Sequence, residues 1–205
     1  TFAETHGIPI IAIADLIAWR KKHESLVDLI AETPLETETG AWKMKVFRDT
    51  LHDHHHVALI MGDVTSETPV LVRVHSECLT GDAFGSHHCD CGRQLDLAME
   101  RIAAEGRGVL LYLRQEGRGI GLVNKVKAYA LQSTEGLDTV EANERLGLPA
   151  DLREYGIGAQ ILRAIGLQNI RLLTNYPKKV FGLEGYGLSI IEQLPLSVRP
   201  RSKRE

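Results

Sequence analysis

The residues of this chain best suited to chemistry are three cysteines, spaced Cys78-x10-Cys89-x-Cys91, with no other thiol among 205 residues. Zinc favours thiolate and imidazole ligands in a tetrahedron, and structural zinc sites close that tetrahedron with four protein ligands. Three thiols alone leave one position open, the arrangement that holds a reactive water. A closed site completed by His75, His87 or His88 has the same ligand chemistry, and free cysteines also pack simply as small apolar residues. The Cys-Asp-Cys pair suits a tight loop, and Gly92 lets the backbone turn away before the next element.

Other residue patterns carry weaker signals. Gly117, Gly119 and Gly121 form a run that can bring backbone N–H groups against an anion. No GxxxxGK(S/T) motif is present, so this is not a P-loop nucleotide site. Asp151 and Arg153, two apart, point the same way in an extended segment and can act jointly. As a plain exposed ion pair they would contribute only about 0–1 kcal/mol. Tyr129 sits one helical turn from Lys125, where core packing is the ordinary role of its type. His52, His54, His55 and His56, with Asp53, resemble a metal box in composition only.

The elements that must hold these residues belong to an ordinary globular chain. Apolar residues make up 43% and charged residues 25%, with a formal charge of −3, so nothing global attracts nucleic acid or a membrane surface. No apolar run is long enough for a transmembrane helix. Glu4 and Asp15 interrupt the N-terminal apolar stretch and argue against a signal peptide. An odd number of cysteines, two of them nearly adjacent, argues against a disulfide framework and for a reducing, cytoplasmic setting.

Along the chain, residues 8–13 read as a strand and 15–30 as a helix with Asp15 as N-cap. Residues 32–40, with Pro34 and Gly40, read as a linker or turn. Strand-like runs follow at 41–47, 56–62 and 69–75 and suggest an antiparallel, β-rich front half. Beyond Cys91, helical spacing from Leu95 to Ala103 ends at Gly106 and Gly108. A strand at 109–113, helices at 121–132 and 155–165, a strand at 169–175, a short helix near Pro177 and a strand at 189–194 complete the alternation. The pattern predicts an α+β fold of mixed sheets, β-rich in front and βα-alternating behind. Residues 139–155 are expected to be mobile without ligand, and 197–205 form a solvated tail.

The segment RVHSECLTGDAFGSHHCDCGRQL (73–95) closely resembles the zinc-binding segment of GTP cyclohydrolase II, an enzyme of riboflavin biosynthesis. The resemblance continues through LLYLRQEGRGIGLVNKVKAYALQ (110–132), DTVEANERLG (138–147) and LLTNYPKKV (172–180), and covers about residues 41–196. It implies hydrolysis of GTP to formate, pyrophosphate and 2,5-diamino-6-ribosylamino-4(3H)-pyrimidinone 5′-phosphate. One zinc per chain would be held by Cys78, Cys89 and Cys91, and magnesium would arrive with the triphosphate. GTP contacts carried over by the motifs are Arg73, Val74, His75, Ser76, Glu77, Gln94, Glu116, Gly117, Arg118, Thr139, Thr174 and Lys179. Among these, Gln94 suits the guanine edge, since an amide pairs a donor with an acceptor. Tyr129 falls near the reacting ring. Asp151 and Arg153 match the pair assigned as proton acceptor and nucleophile at the α-phosphorus, although charge stabilisation by Arg153 accounts for the same residue.

The resemblance also implies a homodimer. Residues 1–31 resemble the end of 3,4-dihydroxy-2-butanone 4-phosphate synthase, a partner often fused upstream. The expected organisation is therefore a synthase remnant at 1–31, a linker at 32–40, a cyclohydrolase domain at 41–196 and a tail at 197–205.

Overall fold

The computed structural model describes residues 2–149, 151–153, 155–175 and 186–197. Helices α1 (Phe2–His6) and α2 (Ile13–His23) precede strands β1 (Val27–Thr37), β2 (Gly40–Asp49), β3 (His55–Met61) and β4 (Val70–Ser76). Helices α3 (Leu79–Asp82) and α4 (Cys91–Glu105) lead to β5 (Gly108–Leu113). A 3₁₀ turn at Glu116–Gly119 opens into α5 (Gly121–Glu135), followed by α6 (Thr139–Arg145), α7 (Gly156–Ile165), β6 (Asn169–Leu173) and β7 (Ser189–Leu194). All seven strands form one sheet in the order β1-β2-β3-β5-β4-β6-β7. Pairing is antiparallel from β1 to β5, and parallel across β5, β4, β6 and β7. The α+β class with a β-rich front and an alternating back is thus realised, with both halves sharing a single sheet.

The central strands are apolar on both sides because helices cover both faces. On one face Val70, Val72, Val109, Leu111 and Leu113 pack against Ile157, Ile161, Leu162 and Ile165 of α7. On the other, Leu71, Leu110 and Leu173 pack against Ala98 and Ile102 of α4. The chain therefore leaves β4 over one face to reach β5, and leaves β5 over the opposite face to reach β6. Where the winding direction reverses, the loops beyond the carboxyl ends of neighbouring strands diverge and leave a crevice. Those ends here are Ser76, Leu113 and Leu173. Among the described residues, no helix is long and apolar enough to cross a membrane.

The N-terminal reading requires correction. Residues 8–12 lie outside any strand, and Ile8, Ile10 and Ile11 are 52%, 74% and 69% exposed. An apolar run without a pairing edge has no means of realising its strand propensity. Helix α2 ends at His23 rather than residue 30, and its N-cap is Ala12, with Asp15 inside the first turn. Residues 27–30 extend instead because they belong to the ladder with β2, which runs from Val27–Asp49 to Thr37–Gly40. Most of the polar stretch 32–40, expected as a linker, is the rest of β1 and its two-residue turn. Trp42 fastens that turn, its indole N–H donating to Thr37 and Thr39 Oγ1, both at 3.1 Å. The helix expected near Pro177 lies outside the described residues.

The histidine run also resolves into separate roles. His52 Nδ1 bonds Asp49 Oδ2 at 2.6 Å, whereas His56 is 2% exposed and accepts the Arg114 backbone N–H at 3.0 Å. Burial pushes His56 down to about 4, so its neutral ring is the form the fold requires. An unfolded histidine titrates near 6.5. Its contribution is therefore complete above that value and is lost as pH falls from about 6.5 towards 4, a window worth about 1–2 kcal/mol at pH 5. Urea unfolding at pH 7.5 and pH 5 is expected to show the wild type losing that much more than His56→Asn, whose Oδ1 accepts the same bond without titrating. Equal losses would show that His56 does not control the acid limb.

Candidate active site

A cavity of about 350 Å³ opens at the carboxyl ends of β4, β5 and β6. Its walls include every sequence-predicted residue that is described except Asp151, which is paired with the lining residue Arg153. Lys179 lies outside the described residues.

The thiol end is built by two turns packed against each other. Cys78 follows β4 directly, and Cys89 and Cys91 sit at the start of α4. Their ligand atoms lie within 4.8 Å of one another, with Cys78 Sγ and Cys89 Sγ 3.5 Å apart. A tetrahedral zinc with bonds of about 2.3 Å separates its sulfurs by roughly 3.8 Å, so this cluster fits such an ion. A side chain at Gly81 would place its Cβ 2.8 Å from Cys89 Sγ and 3.0 Å from Cys78 Sγ. Only glycine lets the α3 turn lie under the three sulfurs. Among the described residues, this metal-capable group contains the three sulfurs and no histidine or carboxylate. His75 faces Asp82, and His88 stacks on Tyr129 with ring centroids 4.6 Å apart.

Two carboxylates hold the Cys78 loop. Asp82 accepts from Cys78 N at 3.0 Å, Tyr112 OH at 2.7 Å and His75 Nε2 at 3.1 Å. Burial, and then the bond to Asp82, push the Tyr112 hydroxyl well above its usual range, so it remains a donor. Glu116 accepts from Leu79 N at 2.7 Å and from Lys125 Nζ at 2.8 Å. The same ammonium lies 3.1 Å from Cys78 Sγ. Hydrogen bonds from Cys89 and Cys91, and then from Lys125, hold Cys78 far below an ordinary thiol, while sharing with Cys78 raises the other two. The trio behaves as one coupled thiolate group whose remaining protons a cation would displace. Tyr129 closes this end, its hydroxyl 3.2 Å from Thr80 Oγ1 and its ring 5.6 Å from Lys125 Nζ.

Three arginines, Arg73, Arg118 and Arg153, also line the cavity. Arg73, on β4, donates to Leu173 O at 3.0 Å and to Gln94 Oε1 at 2.8 Å. Gln94 in turn donates to Asp90 Oδ2 at 2.8 Å, so the amide expected to read the base already bridges two protein groups. Val74, Ser76, Glu77 and Thr174 line the same strand ends. Thr139 begins α6, which Asp138 and Glu141 cap reciprocally, and its hydroxyl accepts from Gln132 at 3.1 Å. That helix lies inside the stretch read from sequence as loop. Arg118 adopts φ 60° between Gly117 and Gly119, an uncommon conformation for a side-chain-bearing residue. Its carbonyl accepts Leu152 N at 2.9 Å and thereby docks the Asp151–Arg153 segment. Arg153 forms a fork with Asp151, at 3.0 Å through Nε and 2.7 Å through Nη2.

Gly119 makes that docking possible. At φ 89°, an added Cβ would lie 2.9 Å from Leu152 Cβ and 3.0 Å from its carbonyl carbon. Gly119→Ala should cost about 1–3 kcal/mol through backbone strain. A shift of about 1 Å in the docked segment is enough to lower turnover roughly 10²-fold. Thermal unfolding alongside turnover checks both, and a variant with wild-type kinetics would uncouple Leu152 from the site.

Sequence reasoning missed Asp82, Tyr112 and Asp90, and singled out Lys125 only as a neighbour of Tyr129. It missed Asn143 as well, which lines the cavity at 1% exposure with neither amide atom partnered. Its one signal was position, four residues after Thr139 on the same helical face.

The sheet, the three-thiol cluster and the lining arginines define a metal-capable, anion-attracting site on a mixed sheet, and comparison with known proteins supplies the family. The family model described as GTP cyclohydrolase II matches residues 28–195, and the chain belongs to that family. Among its relatives are proteins named riboflavin biosynthesis protein RibBA, from Bacillus cytotoxicus (58% identical) and Bacillus cereus (56% identical). Each alignment spans 203 residues, 99% of this chain and 51% of the relative. The chain thus spans about half the length of the relatives it matches. A solved structure of RibBX, a two-domain 3,4-dihydroxy-2-butanone 4-phosphate synthase from A. baumannii, shares the fold. Its TM-score is 0.54 at 24% identity, covering 94% of this chain and 47% of that one.

Proposed function

We propose that this chain hydrolyses GTP to formate, pyrophosphate and 2,5-diamino-6-ribosylamino-4(3H)-pyrimidinone 5′-phosphate. The observation that carries this reading is the meeting of three sulfurs and three arginines in one cavity. Two separate bonds must be cleaved, and the cavity offers a different set of groups for each, sulfurs for one and guanidinium groups for the other. Cys78, Cys89 and Cys91 would hold one zinc, which would supply Lewis-acid activation of water for attack on the purine ring. Tyr129 and Glu77, also in the lining, orient the ring and relay a proton. Arg73, Arg118 and Arg153 offer planar donors to phosphate oxygens, with Gly117 and Thr174 beside them in the lining and magnesium travelling with the triphosphate; Lys179 is assigned to the same phosphates by its motif alone. Asp151 fixes Arg153 and takes a proton from the water that attacks the α-phosphorus as the bond to pyrophosphate breaks. Gln94 acts on the base through Arg73 and Asp90, and Thr139 borders the nucleoside.

We further propose that the segment ahead of β1 continues an upstream butanone-phosphate synthase domain, that the enzyme is a homodimer, and that it works in the cytoplasm. The chemistry is tested by incubating the purified chain with zinc, magnesium and GTP and quantifying formate and pyrophosphate together. Equal amounts of both are expected. Pyrophosphate without formate would mean that the ring chemistry is not performed here. Neither product, from a folded, zinc-loaded chain, would count against the assignment.

A further inference from the structure

We propose that Lys125 is a positioning residue for the metal centre, donating a hydrogen bond to Cys78 that withdraws charge from the thiolate and keeps the bound ion electrophilic. The inference rests on the reading of the three cysteines as metal ligands. Three thiolates over-neutralise a dication, leaving a strongly bound but electron-rich ion, poorly suited to activating water. A hydrogen bond to one sulfur offsets that donation without loosening the site.

The geometry supplies such a bond. Lys125 is 7% exposed, on the inward face of α5, with Nζ 3.1 Å from Cys78 Sγ and 2.8 Å from Glu116 Oε1. Glu116 is itself fixed by Leu79 N at 2.7 Å, so the ammonium is held over the sulfur from two sides. A buried ion pair contributes little net stability, because desolvation offsets its attraction. Stability alone therefore gives no reason for a lysine here. Methionine has nearly the same length and would fill the space beside Ala128 and Tyr129 without that cost.

The test loads wild type, Lys125→Met and Lys125→Arg with cobalt(II) in place of zinc, then records the sulfur-to-cobalt charge-transfer band. Removing a donor from Cys78 raises the energy of the sulfur lone pair. The band of Lys125→Met is therefore expected at longer wavelength, with Lys125→Arg close to wild type. With zinc, Lys125→Met should bind one ion per chain yet lose at least tenfold in formate release, with KM for GTP within about threefold. A band that does not move in Lys125→Met overturns the proposal, as does full formate release. Should the methionine variant fail to fold, Lys125→Leu removes the donor as well and should show the same shift to longer wavelength and the same loss; a wild-type band with full formate release there likewise overturns the proposal. Absence of any thiolate band in the wild type would instead refute the metal-site reading, and the role of Lys125 with it.

Discussion

Cys89→Ser is expected to remove tightly held zinc and lower formate release at least about 10³-fold, because the site has no spare ligand among the described residues. A serine hydroxyl is not ionised near neutral pH and is a harder, weaker donor than a thiolate. Its oxygen also reaches less far than sulfur from the same backbone position. Two neighbouring histidines are already engaged: His75 by Asp82, and His88 flat against Tyr129. The variant should nonetheless fold, since Asp82 and Glu116 still fasten the Cys78 loop. Zinc content after dialysis against a chelator, formate release and circular dichroism separate these effects. Retention of one zinc with undiminished formate release would sink the metal assignment. Pyrophosphate release that survives while formate is lost would show that the two sets of groups work independently.

What was legible in the sequence divides along physical lines. The cysteines were legible because metal-ligand chemistry restricts both residue type and spacing. Helices α4, α5 and α7, and strands β2 to β7, announced themselves by periodicity and by glycines at their ends. The N-terminal segment was misread because local propensity cannot register a partner strand: residues 27–37 extend only because β2 lies beside them. Helix α6 was missed since its signal is a capping box inside a turn-rich stretch, easily taken for a loop. Asp82 and Lys125 look like surface charges on paper. Burial alone gives them meaning, and burial is decided by strands and helices distant in sequence.

Arg153→Lys is expected to lower turnover about 10²–10³-fold without affecting zinc content or folding, because the fork geometry matters beyond the charge. Burial alone would lower the Arg153 pKa, yet its hydrogen bonds and ion pair with Asp151 prevail and raise it. A guanidinium so held keeps its proton at any working pH and has no lone pair to attack phosphorus. Its chemical use is to present two N–H groups to oxygens that gain charge as the bond to pyrophosphate breaks. Lysine retains the charge but offers a single point, and it cannot form the two-pronged contact with Asp151 seen at 3.0 and 2.7 Å. Asp151→Asn should show a comparable loss, since the arginine then loses its anchor and the site its proton acceptor. Single-turnover samples quenched with denaturant at alkaline pH, where a phosphorus–nitrogen bond survives, and analysed by mass spectrometry distinguish the two roles for Arg153. A wild-type chain carrying a guanylyl adduct at Arg153 would establish covalent catalysis and overturn the charge-clamp account. Unmodified protein throughout the turnover, together with a KM for GTP that rises less than kcat falls in Arg153→Lys, is the expected result and places the arginine's contribution in the transition state.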